Sequence, residues 1–258
     1  MHFFALDHFF EIPNGCAVIG HGAMDAQKCA RLTYSVDVSI PKAHWQKPHL
    51  GEHRFPVSLV VLVVIVLQFA LPGKLSLSFQ KWICLLEFAI LLSLYLLSPK
   101  RLFRHHPPTR RIGFILTSVM TISNTASAVK LVSELLSGGI GSASQLLASG
   151  GSIWLTNVVI FSLWFWDLDR GGPGARAEAK MDWPDFLFPQ MTDPTYAPTD
   201  WHPKFFDYLY MSFTNASAFS PTDVMPLTRW AKMLMLLQST TSLIVVGLVV
   251  ARAVNILQ

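Results

Sequence analysis

The chain has 258 residues, of which 52% are hydrophobic and only 14% charged, with a mean hydropathy of +0.41 and a formal net charge of +4. A soluble domain is nearer a quarter charged. Here the deficit is concentrated in long apolar blocks, which excludes an ordinary soluble domain and points to an all-α integral membrane protein. The basic residues sit beside those blocks, with no basic face interleaved with aromatics, so they read as topology determinants and not as a nucleic-acid surface.

Residues 1–54 mix MHFFALDHFF, NGCAVIGHGAMD and PKAHWQKPHLGEHR without sustained periodicity. They lack the basic n-region and continuous apolar stretch of a signal peptide. They read as an N-terminal leader, either disordered or a small appendage. Cys16 and Cys29 in this segment and Cys84 beyond it form no CxxC or Cys/His pattern, so no zinc site or disulfide framework is indicated. No cofactor and no metal is expected.

Residues 55–136 hold three predicted spans. The first, 56–71, is PVSLVVLVVIVLQFAL, closed by Pro72 and Gly73; with its flanks it approaches the ~20 residues a bilayer core requires. The second, 82–97, is short and contains Glu87. The third, 112–136, carries TSVMTISNTASAVK at its centre. Small hydroxyl residues admit close helix contacts in membranes, so this helix is expected in the interior.

Residues 137–258 hold the rest: a fourth span at 145–166, ending in an aromatic stretch with Trp164 and Trp166 suited to the membrane interface, a connector at 167–204, and a last span at 231–256. The connector carries six prolines and reads as irregular, surface-running chain. Residues 98–111 carry Lys100, Arg101, Arg104, Arg110 and Arg111, whereas the loop between spans three and four carries no basic residue. The positive-inside rule places 98–111 in the cytoplasm, and with five spans it places the N-terminus inside and the C-terminus outside. The expected location is a cell membrane, of the bacterial inner-membrane kind.

Residues 205–228, FFDYLYMSFTNASAFSPTDVMPLT, are too polar for a span and too aromatic for an ordinary loop. From Asp207 the sequence resembles the pore module of two-transmembrane potassium channels, in which a short pore helix leads into a TVGYGD-type filter and then D-x-x-P-x-T before the inner helix. Asp207, Leu209 and Ser212 match pore-helix positions without a gap, Asp223, Pro226 and Thr228 reproduce D-x-x-P-x-T, and Trp230 follows. The region from WFWDLDRGG onward is also similar to a family of uncharacterised bacterial multi-pass membrane proteins, a resemblance that implies no activity.

The channel resemblance implies a re-entrant pore-type helix and loop before the last span, a homo-oligomer (a tetramer, if channel-like) and a small ion as ligand. Its pore-loop candidates are Asn215, Ser217, Ser220, Thr222 and Asp223. The departure lies in the filter, where Ser220, Pro221 and Thr222 stand in place of the glycines and aromatic. A carbonyl-lined filter needs backbone angles that glycine takes easily and proline forbids. Potassium selectivity is therefore not expected. In the channels, moreover, the loop faces outward, whereas the charge count here places 167–204 inside.

Ionisable and amide side chains inside spans are the remaining candidates. Glu87 reads as a cation or proton site, or as a partner of a neighbouring helix. Asn124 and Asn157 could line a pathway together or bond across helix interfaces; Gln238 could face a pore or serve packing. Lys130 is expected to snorkel to the interface. No HExxH, GxSxG, P-loop or Rossmann glycine pattern occurs. Three readings are kept: an ion-channel-like pore, a non-conducting structural or accessory membrane protein, and a membrane-embedded enzyme. The last would need a close carboxylate or histidine pair within the spans.

Overall fold

Long uninterrupted apolar runs can satisfy their backbone groups internally only as helices, and the structure follows that rule. The computed structural model describes residues 43–97, 101–102, 107–137, 142–193, 195, 197–217 and 223–257, all within one compact unit, residues 42–258. Among the described residues there are eight α-helices: α1 Phe55–Phe69, α2 Gln80–Leu97, α3 Pro107–Ser137, α4 Ala143–Leu168, α5 Pro173–Ala177, α6 Pro189–Thr192, α7 Phe205–Ser217 and α8 Arg229–Leu257. The all-α class expected from the sequence is observed. Four helices are long and apolar enough to cross a membrane: α2, α3 and α8, and α4 with the turn that follows it. α1 is apolar but has 15 residues, about 22 Å at 1.5 Å per residue.

α1, α2, α3, α4 and α8 alternate in direction, so that two ends of the bundle can be distinguished. One end gathers residues 43–54 before α1, Arg101–Leu102 between α2 and α3, residues 169–193 and the start of α7. There β1 (Glu52–His53) pairs antiparallel with β2 (Arg101–Leu102), and β3 (Phe186–Leu187) pairs with β4 (Met225–Pro226). We call this the cap end. The far end holds the α1–α2 turn, the end of α3 and the start of α4, and there the Lys130 ammonium donates to the Ser76 carbonyl.

The interior helix is α4, not α3 as the sequence suggested. Two thirds of its span-length window is buried (67%), against 39% for α3, 28% for α8 and 22% for α2. The reason is visible in α3 itself. Its small polar face, with Ser123, Asn124 and Ser127, turns inward, while Ile115, Ile122, Val129 and Leu136 recur every seventh residue on an exposed stripe. α4 packs against α1, α3, α7 and α8. Its approach to α8 is close enough that a Cβ on Gly150 would lie 2.6 Å from Val249 Cγ2.

Two further readings of the chain change. Within the segment 1–54 read as a leader, residues 43–54 form structure, with Trp45, Glu52 and Arg54 buried; 1–42 lie outside the described residues. The 167–204 connector is not surface-running chain, because Asp169, Arg170, Arg176, Phe186 and Phe188 are all buried.

Candidate functional site

The region that the channel resemblance singles out is built from α4, α7 and α8. α4 ends where Arg170, Gly171 and Gly172 all take positive φ (51°, 77° and 91°), a left-handed run that only glycine adopts freely. At Gly172 a Cβ would also meet the Asp167 carbonyl oxygen at 2.9 Å. The chain thereby turns away from the helix axis and builds the cap before returning as α7.

α7 is flanked on both sides by the cap. Before it, the Phe205 amide donates to Glu52 Oε2 at 2.9 Å; an acidic side chain at this position satisfies an unpaired amide and suits the positive end of the helix. After it, Leu227 N donates to the Asp185 carbonyl at 2.8 Å and β4 pairs with β3. Between these two anchors α7 runs 13 residues down the bundle beside α4 and α8. Its polar side meets that of α8. Buried Gln238 donates to Ser212 O (2.9 Å) and Ser212 Oγ (2.6 Å), and Ser212 Oγ donates in turn to the Val158 carbonyl of α4 at 2.6 Å.

Of the pore-loop candidates, Asn215 belongs to the same lattice. Its amide donates to Gln238 Oε1 at 2.8 Å and to the Met235 carbonyl at 3.0 Å, and its own oxygens accept from Ser239 Oγ. Ser217 donates to the Thr214 carbonyl one turn back, and Asp223 is exposed beside the cap. Ser220 and Thr222, with Pro221, lie outside the described residues.

The intramembrane candidates do not converge. Asn157 donates to Ser242 Oγ of α8 at 3.1 Å, whereas Asn124 donates to the Ile153 carbonyl of α4 at 3.3 Å. Each therefore ties a separate pair of helices, in keeping with interface bonding. Glu87 is fully buried in α2, away from this module, and the helix partner the sequence offered for it is absent among the described residues.

The cap holds residues that the sequence did not single out. Arg176 and Glu52 form an ion pair at 3.2 Å with both side chains almost fully buried. Arg176 also donates to the carbonyls of Trp166 and Asp169, while the Trp166 indole N–H donates to Glu52. Trp166 is thus a buried cap residue and not part of an interfacial belt. The Tyr208 hydroxyl, from the first turn of α7, donates to Asp169 Oδ2. Asp185 accepts from Arg170 N and from the Trp230 indole N–H, joining the end of α4 to the start of α8. The Arg170 guanidinium donates to the Met181 and Trp45 carbonyls and stacks over the Trp45 ring.

A cleft of about 600 Å³ opens beside this network, lined in part by His49, His53, Asp200, His202 and Lys204. The rings of His49 and His202 stack at 3.7 Å. Burial, with the neighbouring His202 and Arg176, pushes His49 down from 6.5 to about 4. Its Nδ1 accepts from the Gly51 amide, as a neutral imidazole can. Among the described residues no group of three or more His, Cys, Asp or Glu is arranged to hold a metal ion. No family model, curated protein or solved structure matches the chain.

Proposed function

We propose that the protein is a multi-pass membrane protein, and that α4, α7 and α8 form a pore-like module that passes a small ion without potassium selectivity. Membrane insertion is supported by the apolar surface. Trp82, Leu85 and Leu96 of α2 and Met233, Leu236, Leu243 and Val254 of α8 are exposed, an outward face that suits lipid and not water. α1 is taken as a fifth, short span, accommodated by its flanks or by local bilayer thinning.

The observation that carries the pore reading is the course of the chain around α7. Both of its flanks are bonded to the cap, while Asn215, at its other end, meets Gln238 in the third turn of α8. A helix that enters and returns to its own side is the re-entrant arrangement membranes accept when protein or water satisfies its backbone. Conduction in this reading needs a homo-oligomer, a tetramer by the channel resemblance, around the loop of Asn215, Ser217, Ser220, Thr222 and Asp223. Arg101, Arg110 and Arg111 lie at the cap end, so in this reading the loop opens toward the cytoplasm, the reverse of the channels it resembles.

A second reading is a non-conducting accessory protein that retains the hairpin as a packing element. It is favoured by the mutual satisfaction of Ser212, Asn215, Gln238 and Ser239 within one chain. Flux of cations and anions into liposomes separates the two. The pore reading expects a cation flux in wild type that Asp223→Ala reduces. If both are silent under every gradient, and bulky residues at 220 and 222 change nothing but yield, the accessory reading replaces it.

A further inference from the structure

Outside the α4–α7–α8 module, Glu87 is a buried acid with nothing to hold it. α2 turns Gln80, Cys84, Glu87 and Leu94 inward, a single helical stripe that packs against α1 and α3. Gln80 marks where the stripe lies: its amide donates to Gln68 Oε1 of α1 at 3.1 Å and to Ser123 Oγ of α3 at 2.8 Å. Glu87 follows two turns along the same groove. Two turns back from Gln68 and Ser123 on the antiparallel neighbours lie Val61 and Leu116, both buried in the core. Glu87 is 0% exposed, and neither carboxyl oxygen has a hydrogen-bond partner among the described residues.

Among the described residues no charge compensates for this. α1 contains no titratable side chain. The titratable groups of α3 are Arg110, Arg111, Lys130 and Glu134, and Arg110 and Lys130 donate to the Asp167 and Ser76 carbonyls at opposite ends of the bundle. On α2 itself only Cys84 shares the buried face, since Lys81 and Tyr95 point elsewhere. An ionised carboxylate here would carry its desolvation cost without counter-charge or hydrogen bond. A metal cation would need several more oxygen ligands. A proton requires only the carboxyl oxygen.

We infer that Glu87 is a proton-binding site: its carboxyl carries a proton in the folded protein at neutral pH, and release of that proton is coupled to opening of the α1–α2–α3 groove. On release the O–H bond breaks, the proton passes to water, and water solvates the carboxylate left behind.

The test is infrared spectroscopy of the full chain in liposomes with ¹³C-labelled glutamate, which isolates Glu11, Glu52, Glu87, Glu134 and Glu178 from the aspartates. At pH 7 the labelled wild type is expected to show a protonated-carboxyl band that is lost in Glu87→Gln and kept in Glu134→Gln. A wild-type spectrum with carboxylate bands alone overturns the site, whether or not Glu87→Gln folds. Raising the pH is expected to convert that band together with an increase in amide hydrogen exchange along α2. Conversion without a change in exchange overturns the coupling.

Discussion

The α7–α8 contact and the groove between α1, α2 and α3 treat their buried polar side chains in opposite ways. Between α7 and α8, Ser212, Asn215, Gln238 and Ser239 exchange bonds until their side chains are satisfied. Between α1, α2 and α3, Gln68 Nε2, Gln80 Oε1 and both oxygens of Glu87 have no partner among the described residues. Satisfied networks rigidify and specify one arrangement, whereas unsatisfied ones mark strain or function. The α7–α8 contact is thus built to stay as it is, and the α1–α3 groove retains a reason to change.

The sharpest way to break this contrast is at the cap that holds the rigid contact. Arg176→Ala leaves Glu52 buried and uncompensated, with an expected loss of about 3–5 kcal/mol in thermal unfolding in detergent. Glu52→Gln in the same chain recovers part of it, because the residual charge is then removed. If Arg176→Ala unfolds like wild type, the cap does not anchor α7.

Next in size is the α4–α8 contact. Gly150→Leu drives a side chain into Val249 and is expected to cost about 1–3 kcal/mol, relieved by Val249→Ala. Gly151→Leu serves as the control, since a Cβ there meets nothing within 4 Å. Gln238→Leu strips Asn215 and Ser212 of their shared partner; bonds of this kind inside membranes are worth about 1 kcal/mol, and a double-mutant cycle with Asn215→Leu measures it.

The smallest effect is a pH dependence of the cap. The folded His49 binds its proton less readily than the unfolded one, so between pH 6.5 and about 4 the unfolded state takes up more protons. Stability is therefore present above pH 6.5 and declines as pH falls through this window. The decline of the melting temperature over that range is expected to be shallower in His49→Gln; equal slopes exclude His49 as its source.

The helices were legible because an apolar run in a chain of this composition has few other conformations; most observed ends lie within two residues of those expected, but α3 begins five residues earlier, at Pro107. α7 was legible from FFDYLY and the motif after it. Which helix lies inside was not: hydroxyl content argued for α3, but a stripe of four isoleucine, valine and leucine residues on its other face decided the matter. The cap was hidden for a different reason. Arg176 and Glu52 are 124 residues apart, and no local pattern announces a pair so distant. One signal was available in the proline-rich connector: Phe186 and Phe188 alternate with Leu187, a short period-two pattern that buries the Phe186 ring from β3 and the Phe188 ring just after it.

The bond from Phe205 N to Glu52 reaches across 153 positions of the chain, and this bears on autonomy and folding order. The part of the protein that looks most like a separable unit lacks the acid that caps its central helix and neutralises Arg176. A fragment beginning at residue 137 is therefore expected to assemble poorly without residues 43–54 supplied in trans. During synthesis, Glu52 emerges long before its partners, so the hairpin can lock only after the amino-terminal strand has been kept in reach by the first helices.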